Sequence, residues 1–364
     1  MKKLFLRIKM KELLQLQKMS NRYGSDAKYV LAGGGNTSFK TEDTLYVKGS
    51  GTSLATIKAE DFVNMDRPAL SAMWEKTYPE NEADREKVVL SDMMDARKEG
   101  ESRRPSVETL LHDLFPQKFV LHVHPSLVNG MTCGVKGKEI AAQLFPESVW
   151  VDACRPGYIL ASLCREKLVA YKNKKGKDAD LLFLQNHGVF FASDSVDGID
   201  ALVSRVMNTL EAFVEENESK KLDNLADLLR EYTGYKFVGF VKGEGVNAFD
   251  TERNSPTPDH IVYCKANYFP TTLNVCPDCL KASLDAFNDK NGYYPRVVTV
   301  RGVGAYLLAD SEKQLDTVTA IFLDQVAVCE KAEAFGGYFG MSDDLVDFIV
   351  NWEVESYRSK VSNG

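Results

Sequence analysis

The feature that most constrains this chain is the stretch FVLHVHPSLV, residues 119–128, in which two histidines interrupt an apolar run. The apolar residues predict a buried strand, and alternate residues of a strand project from the same face. His122 and His124 therefore lie side by side, while Leu121 and Val123 point into a core on the other face. Since the chain holds only 5 histidines in 364 residues, we expect the fold to build a polar site against this strand.

A third histidine, His187, follows a buried strand predicted at residues 181–184 and stands in the sequence LQNHGVF. Its Asn and Gly neighbours predict a turn, from which an imidazole can reach over the end of a sheet. Three neutral imidazoles supply the protein's share of a catalytic zinc site and leave a position for substrate. The alternative interpretation is that His122 and His124 are ordinary half-buried strand residues.

The segment RRPSVETLLH, residues 103–112, ends shortly before the histidine strand. It predicts a helix from Ser106 to Leu114 with Ser106 as the N-cap, and Glu108 and His112 share one face of that helix. A carboxylate beside a cation can move a proton on carbon once the cation polarises a neighbouring carbonyl, so Glu108 is the candidate acid/base. The alternative is a first-turn glutamate favoured by the helix dipole. We expect His112 in the core rather than as a fourth ligand.

Two glycine-rich turns, GGGNTS at residues 33–38 and KGSGT at residues 48–52, are separated by a predicted strand. Backbone N–H groups in such turns, together with nearby hydroxyls, bind phosphate, and Lys48 adds a positive charge. Neither turn has the spacing of a P-loop or of a dinucleotide fingerprint. The alternative is a pair of plain turns with an exposed lysine.

Charge and hydropathy exclude several classes of protein. The net charge is −7 and no basic arm is present, which argues against nucleic acid as a partner. No apolar run reaches the length of a membrane span, and Arg7, Lys9 and Lys11 interrupt the segment where a signal peptide needs its apolar core. We therefore expect no membrane partner and a cytoplasmic location.

The number and placement of the cysteines also favour a cytoplasmic location. The 7 cysteines are scattered and odd in number, which suits a reducing compartment better than a disulfide framework. A lone CxxC stands at residues 276–279. A zinc ribbon needs a second such pair, so we interpret Cys276 and Cys279 as incidental.

The organisation along the chain predicts two parts. Residues 240–260 are rich in Gly, Pro, Asn and Asp, and we place a boundary or long connection there, with domains at residues 1–235 and 236–364. Just before it, the periodicity predicts a long helix over residues 196–217 and another over residues 222–232.

One internal similarity links the two parts. Residues 181–195 can be laid over residues 297–311, because both give an apolar strand, a glycine turn, a second apolar stretch and Asp-Ser before a helix. His187 then falls on Val303, so the second copy lacks a metal ligand. Two ordinary strand–turn–strand–helix units and a degenerate duplication both fit this pattern.

Five of these segments, in this order, resemble the class II aldolase/adducin family of zinc-dependent sugar-phosphate aldolases and their relatives. The segments are GGGNTSFK, YVKGSGT, RPSVETLLH, VLHVHP and LQNHGVF, covering roughly residues 25–220. The sequence is most similar to the branch that includes the aldolase part of bifunctional rhamnulose-1-phosphate aldolase/dehydrogenases. Its C-terminal part resembles that branch in SPTPDHIVYCK, PRVVTVRGVGAYLLADS and NWEVESYRSK.

The resemblance implies a three-layer α/β/α sandwich around a mostly antiparallel sheet for residues 1–235, with residues 236–364 as a C-terminal α/β extension. It implies that the metal ligands are His122, His124 and His187 and that the catalytic acid/base is Glu108. The residues implied to hold the phosphate and substrate are Gly35, Asn36, Ser50, Gly51 and Ser106, with Lys48 beside them.

The implied activity is reversible cleavage of a sugar phosphate, such as a ketose 1-phosphate, by a metal-dependent aldolase through a metal-stabilised enediolate. Zn²⁺ suits three imidazoles, with Mn²⁺, Co²⁺ or Fe²⁺ as alternatives. The implied partners are a small phosphorylated sugar and further copies of the chain, usually in a tetramer. Two alternatives stay open: an epimerase or dehydratase of the same family, and a non-catalytic adducin-like binding protein.

Overall fold

The computed structural model describes residues 2–351, with side chains from residue 10 onwards. It divides into two compact units, unit 1 extending to Phe213 and unit 2 beginning at Val214. The division lies inside one long helix, whereas the sequence pattern placed it after residue 235, and the domain assignment stays a prediction. The segment NWEVESYRSK lies outside the described residues, apart from Asn351.

Unit 1 is built on seven strands. In chain order they are β1 (Asn36–Lys40), β2 (Thr44–Lys48), β3 (Phe62–Asp66), β4 (Phe119–Val123), β5 (Val149–Val151), β6 (Leu181–Leu184) and β7 (Gly188–Ser193). The helices that begin in this unit are α1 (Lys2–Gly24), α2 (Arg67–Ala72), α3 (Glu82–Asp95), α4 (Thr109–Leu114), α5 (Ser126–Thr132), α6 (Gly137–Leu144), α7 (Tyr158–Lys175) and α8 (Val196–Thr233). Short 3-10 helices cover Ala59–Asp61 and Met73–Glu75.

The seven strands form one sheet in the order β3-β2-β1-β4-β7-β6-β5. Every neighbouring pair is antiparallel except β5 and β6, which are parallel. One apolar cluster joins a sheet face to α1, α5, α6 and α8, and a second joins the other face to α2, α3, α4 and α7. The predicted three-layer α/β/α sandwich with a mostly antiparallel sheet is therefore confirmed.

Strand β4 lies in the middle of this sheet, between β1 and β7. Leu121 and Val123 pack into the cluster on the α1 side, and Val120 packs into the cluster on the α7 side. His122 projects from the same face as Val120 and is fully buried. The alternation predicted from the sequence thus holds, and it brings an imidazole into an otherwise apolar layer.

Helix α8 is one continuous helix, and the prediction of two helices over its length is wrong. The sequence has no Gly or Pro between Ile199 and Thr233, so nothing in it forces a break. The pair Lys220-Lys221 is simply exposed on the helix surface. Across residues 2–351, none of the helices combines the length and the apolarity that crossing a bilayer requires.

Unit 2 contains a four-stranded sheet. Its strands are β8 (Phe237–Val241), β9 (Phe269–Thr271), β10 (Val297–Val300) and β11 (Gly304–Ala309). Its helices are α9 (Glu244–Asn247), α10 (Pro258–Cys264), α11 (Pro277–Asn291), α12 (Glu312–Ala332) and α13 (Asp343–Asn351), with a 3-10 turn at Glu333–Phe335. Apolar clusters again cover both faces of the sheet.

The sheet of unit 2 repeats the second half of the sheet of unit 1. The order is β8-β11-β10-β9 in unit 2, as it is β4-β7-β6-β5 in unit 1. In both series the first two pairings are antiparallel and the last is parallel. The intervening helices also follow in the same sequence along the chain. The similarity between residues 181–195 and 297–311 therefore extends over four strands, and a degenerate duplication stays a prediction.

The register of the strands is the same in both copies. Equivalent cross-strand pairs are His122–Phe190 and Phe240–Tyr306, Leu184–Gly188 and Val300–Gly304, and Val151–Leu184 and Thr271–Val300. A slip of one residue would exchange the two faces of a strand, so a shared register is a specific likeness. It follows that His122, His124 and His187 of unit 1 are matched in unit 2 by Phe240, Lys242 and Val303.

Candidate metal centre

The three histidines predicted as ligands come together in unit 1. One ring nitrogen from each of His122, His124 and His187 lies within 4.8 Å of the others, and the described residues contain no other group of three or more His, Cys, Asp or Glu with this spacing. Strand β4 carries His122, and His124 follows its last residue by one position. His187 stands in the turn between β6 and β7. The strand spacing of His122 and His124 and the turn at His187 therefore bring the three rings together, as the sequence predicted.

The ring of His122 is held in one orientation. Its Nδ1 lies 3.0 Å from the Val189 carbonyl, which can only accept, so Nδ1 donates and Nε2 is the nitrogen directed at His124 and Glu108. The ring also stacks on Phe190 with centroids 4.0 Å apart. A ligand whose second nitrogen is anchored to a carbonyl is the usual arrangement at metal-binding histidines.

The donor set fits a divalent cation. The Nε2 atoms of His122 and His124 lie 2.9 Å apart, close to the separation of about 3.3 Å that bonds of about 2.0–2.1 Å at tetrahedral angles produce. Two facing lone pairs repel unless a proton or a cation lies between them. Burial lowers the pKa of His124 to about 4, and positive charge on the adjacent histidines would act in the same direction. The neutral ring, which is the form that binds metal, is therefore the form present at neutral pH.

Gly188 makes this convergence possible, although no prediction from the sequence singled it out. A Cβ at Gly188 would lie 2.6 Å from both the His124 ring and the Val123 carbonyl oxygen. The backbone of β7 can approach β4 and its histidines only because this residue has no side chain. The Asn-His-Gly sequence was the available signal, since it places a glycine directly after a candidate ligand.

Glu108 lies against the histidines, as expected from the sequence. Its Oε1 is 3.3 Å from Nε2 of His122 and 3.4 Å from Nε2 of His187, and its Oε2 accepts a hydrogen bond from the Asn36 amide. Burial acts to raise the pKa of the Glu108 carboxyl, but the adjacent His122 and His187 rings hold it well below its usual range. The group is therefore an ionised carboxylate, anchored on one oxygen and directed at the site with the other.

The helix that follows Glu108 begins later than predicted. Helix α4 starts at Thr109 with Glu108 as the preceding residue, and Ser106 is not its N-cap. The Ser106 hydroxyl instead accepts the Glu108 backbone N–H at 3.2 Å, and the Ser106 carbonyl accepts the Thr109 hydroxyl at 2.6 Å. Ser106 therefore fixes the turn that directs Glu108 towards the histidines.

Gly35 and Asn36 bring the first glycine turn to the same place. Asn36 pairs with His122 across β1 and β4, which explains how its amide reaches Glu108. Gly35 has a φ of 73°, and a Cβ there would lie 3.1 Å from the His122 carbonyl oxygen. Both its conformation and its surroundings thus require glycine.

Lys48 is buried, with 5% of its surface exposed, so the alternative of an exposed lysine is wrong. Its ammonium donates to the Gly33 carbonyl at 3.1 Å. Burial lowers the pKa of Lys48, and the Glu108 carboxylate acts in the opposite direction. A buried ammonium with a neutral acceptor keeps donors for an anion.

Ser50 and Gly51 lie in the neighbouring turn and are exposed. The Ser50 backbone N–H donates to the Arg104 carbonyl at 2.9 Å, and the Lys48 carbonyl accepts from the Ser106 N–H at 3.1 Å. These bonds join the second glycine turn to the segment that carries Glu108. No bound anion is needed to hold them together, so a phosphate role for Ser50 and Gly51 stays a prediction.

A cavity of about 330 Å³ opens beside His187. Its lining includes Asp152, Cys154, Gln185 and Asn186, none of which was predicted as a site residue. Asn186 adopts a φ of 58°, and this left-handed turn presents His187 to the cavity. The cavity gives a small molecule access to one edge of the histidine cluster.

His112 is a core residue, as predicted, and is not part of the cluster. It is fully buried and its Nδ1 lies 2.8 Å from the Ser38 hydroxyl. Burial lowers the pKa of His112 to about 3. Its role is to pack α4 against β1, which holds Glu108 in place.

Comparison with known proteins gives a family match over most of unit 1. A family model described as the class II aldolase and adducin N-terminal domain matches residues 15–211. A Bacillus subtilis (strain 168) protein named "Uncharacterized oxidoreductase YuxG" is 25% identical over 93% of this chain, and the match covers 57% of that protein's length. The chain thus spans little more than half of this relative.

Two solved structures are similar to part of this chain. The N-terminal class II aldolase domain of a conserved protein from Thermoplasma acidophilum is 27% identical with a TM-score of 0.46, over 55% of this chain and 92% of that one. An L-fuculose-1-phosphate aldolase from Thermus thermophilus is 13% identical with a TM-score of 0.38, over 60% of this chain and 99% of that one.

Proposed function

This chain belongs to the class II aldolase and adducin family, and from that premise we propose that it is a divalent-metal-dependent aldolase that reversibly cleaves a sugar phosphate such as a ketose 1-phosphate. One observation carries the proposal. Three imidazoles converge within 4.8 Å, and an ionised carboxylate lies 3.3 Å from one of them. An aldol cleavage needs both a site for a Lewis acid and a group that moves protons.

In this proposal His122, His124 and His187 hold the cation through neutral ring nitrogens. A bound divalent cation supplies Lewis-acid polarisation of the substrate's carbonyl and hydroxyl oxygens. Zn²⁺ is the proposed ion because three imidazoles suit it, and Mn²⁺, Co²⁺ or Fe²⁺ are the alternatives. The Val189 carbonyl and the Phe190 ring keep His122 oriented before any ligand arrives.

Glu108 is the proposed catalytic acid/base. Positive charge at the histidine cluster keeps the pKa of the Glu108 carboxyl low, and a bound cation would supply such charge. Glu108 would therefore begin the reaction as a carboxylate that can accept a proton. The Asn36 amide holds Oε2, which leaves Oε1 on the side of the histidines. A carboxylate fixed in this way can take a proton in one direction of the reaction and return it in the other.

The phosphate of the substrate is assigned to the glycine turns. Gly35, Asn36, Ser50, Gly51 and Ser106 are the proposed binding residues, with the buried ammonium of Lys48 supplying positive charge. Backbone bonds hold the turns of Lys48 and Ser106 beside each other, so these proposed residues are close together. Anchoring the phosphate there would convert binding energy into orientation at the reacting carbons.

The test is Glu108→Gln, assayed with a panel of ketose 1-phosphates that includes L-fuculose 1-phosphate. We expect turnover to fall by about 10²–10⁴, the usual contribution of a positioned proton-transfer group, with bound metal unchanged. Glu99→Gln, at an exposed glutamate of the same unit, is the matched control and should keep full turnover. Unchanged turnover in Glu108→Gln would remove this residue from the mechanism.

Product analysis separates the proposal from its alternatives. An aldolase yields two carbonyl fragments, an epimerase yields an isomer of the same mass, and a dehydratase releases water. A protein that purifies without metal and binds none would instead favour the adducin-like binding role. Assembly as a homo-oligomer, with a tetramer as the family's usual state, and a cytoplasmic location remain predictions from the sequence.

A further inference from the structure

Unit 2 contains a pair of bonded cysteines that the proposed aldolase reaction does not use. The Sγ atoms of Cys276 and Cys279 form a disulfide with the Cα atoms 5.2 Å apart, and both residues are exposed. The interpretation of these cysteines as incidental is therefore corrected. Cys133 and Cys154, the other exposed cysteines among the described residues, are unbonded.

The pair stands at the start of a long helix. Cys276 is the N-cap residue of the 15-residue helix α11, and its Sγ accepts the backbone N–H of Cys279 at 3.1 Å. A thiolate at Cys276 would thus receive an amide hydrogen bond and the favourable end of the helix dipole. Both effects lower the pKa of a thiol and make it a better leaving group and nucleophile.

The position of the pair in the fold is also informative. In unit 1 the loop between β5 and α7 lines the cavity beside His187, through Asp152 and Cys154. The equivalent loop of unit 2, between β9 and α11, ends at Cys276. Unit 2, where Phe240, Lys242 and Val303 stand in place of the three histidines, therefore carries the cysteine pair at the end of the loop that corresponds to the cavity loop of unit 1.

A metal site does not account for the pair. A structural zinc site needs four ligands, and a catalytic one needs three from the protein. Within residues 2–351, the histidine cluster of unit 1 is the sole group of three or more metal-binding side chains. A purely structural disulfide is also a weak explanation, because a bridge with a sequence separation of 3 constrains a very short loop of the unfolded chain.

We propose that Cys276 and Cys279 form a two-electron thiol–disulfide exchange site whose reaction partner is a dithiol. A thiolate of the partner attacks Sγ of Cys279, the Cys276–Cys279 bond breaks, and its electron pair leaves on Cys276, where the Cys279 N–H stabilises it. The second thiol of the partner then attacks the mixed disulfide and releases Cys279. The chain gains two electrons and two protons, and the partner leaves as a disulfide.

The test is a redox titration of the full chain under anaerobic conditions. The ratio of oxidised to reduced dithiothreitol is varied from 1 to about 10⁴. This range covers four tenfold changes in the equilibrium constant of the exchange. After acid quenching and alkylation, peptide mass spectrometry reads each cysteine. We expect Cys276 and Cys279 to pass from reduced to oxidised together, with the midpoint of this transition inside the range of ratios. Cys133 should stay reduced throughout.

A result at either the most reducing or the most oxidising condition can overturn the proposal. A pair that stays oxidised at equal amounts is a structural disulfide, and a pair that stays reduced both here and in an excess of oxidised glutathione has no redox role. The source of the dithiol is distinguished by comparing reduction rates with dihydrolipoate, a small molecule, and with reduced thioredoxin, a protein dithiol. A faster rate with thioredoxin at equal thiol concentration assigns a protein source, and the reverse assigns a small one.

Two single variants test the assignment of Cys276 as the stabilised thiolate. At neutral pH we expect Cys279→Ser to keep rapid reaction of its remaining thiol with a disulfide reagent, and Cys276→Ser to react at least about tenfold more slowly. Cys133→Ser is the matched control and should differ from the unmodified chain only by the loss of the reaction of Cys133 itself. Equal rates for Cys276→Ser and Cys279→Ser would contradict the asymmetry that the Cys279 N–H implies.

Discussion

Strand β4 of unit 1 and strand β8 of unit 2 occupy equivalent places in their sheets but carry different side chains. Both pair antiparallel with the second strand of a tight hairpin in the same register. Where β4 presents His122 against Phe190, β8 presents Phe240 against Tyr306 with centroids 4.7 Å apart. The strand geometry is common to both, whereas among the described residues the histidine cluster belongs to unit 1 alone.

The comparison separates what the fold requires from what the site requires. Gly188 and Gly304 are equivalent, and a Cβ on either would collide with a backbone carbonyl, that of Val123 in one case and Val241 in the other. The hairpin turns are also alike, with Asn186 and Gly302 both at positive φ. Features shared by the two copies therefore serve folding, and features present only in unit 1 are candidates for function.

The strand beside β4 is a difference between the two units that bears on the histidine cluster. In unit 1, β1 pairs with β4 and brings Asn36 opposite His122. In the four-stranded sheet of unit 2, β8 is the edge strand. A second set of histidines there would lack a neighbouring-strand residue such as Asn36, whose amide donates to Glu108 in unit 1.

The largest expected contrast comes from changing equivalent strand positions. We expect His122→Gln to weaken metal affinity by more than about 100-fold, because loss of outer-shell groups alone costs about 10–100-fold. Phe240→Ala should leave metal content unchanged and lower the free energy of unfolding by about 1–3 kcal/mol. Metal analysis after dialysis measures the change in metal binding, and urea unfolding measures the change in stability. Equal metal loss in the two variants would break the division of roles between the units.

The equivalent glycines give the next contrast. We expect Gly188→Ala and Gly304→Ala each to lower the free energy of unfolding by about 1–3 kcal/mol, since a Cβ must displace backbone atoms in either hairpin. Only Gly188→Ala should also weaken metal binding, because its Cβ would meet the His124 ring. Urea midpoints and metal titrations measure the two effects. A metal defect in Gly304→Ala would show that the units are coupled.

A pH effect is expected from β1, the strand that unit 2 lacks. Burial lowers the pKa of Lys40 to about 7, with Asp113 acting to raise it, and its ammonium donates to the His112 carbonyl at 2.6 Å. Between about pH 7 and pH 10.5 the unfolded chain holds a proton that the folded chain has released. Stability therefore rises with pH in that window, by up to about 1.4 kcal/mol per pH unit. Below about pH 7 both states are protonated and this contribution to the slope vanishes.

The measurement uses Lys40→Met, which should remove that part of the slope. With Trp352→Phe as background, the remaining tryptophans are Trp74 and Trp150, so their fluorescence reports unit 1 during urea unfolding at each pH. Lys58→Met, at an exposed lysine, is the matched control and should keep the original slope. The same slope in Lys40→Met would mean that Lys40 is protonated in the folded chain throughout this range.

The smallest expected effect concerns the residue equivalent to Phe190. The Tyr306 hydroxyl donates to the Leu222 carbonyl at 2.7 Å, a bond that a phenylalanine cannot make. Tyr306→Phe should lower the free energy of unfolding by about 0.5–1.5 kcal/mol, the net contribution of one hydrogen bond, with metal content unchanged. Circular dichroism during urea unfolding checks this, and the partly exposed Tyr263→Phe serves as control. No change in the free energy of unfolding of Tyr306→Phe would mean that the Tyr306 hydroxyl adds no stability and that a phenylalanine, as at Phe190, serves equally well.

By itself the sequence determined the features that arise from local periodicity. The alternation in FVLHVHP fixed the face of His122 and His124, and the Asn-His-Gly turn identified His187. The five ordered motifs identified the family, and with it the three-layer sandwich. Such signals survive in the sequence because a strand or a turn is specified by neighbouring residues.

Only the tertiary structure decided the features that depend on residues distant in the chain. It showed that Lys48 is buried, that Gly188 must lack a side chain, and that Asn36 holds Glu108. It also extended a short internal similarity to four strands in matching register. Burial, close approach and register are properties of chain segments brought together by packing, and no local pattern of residues encodes them.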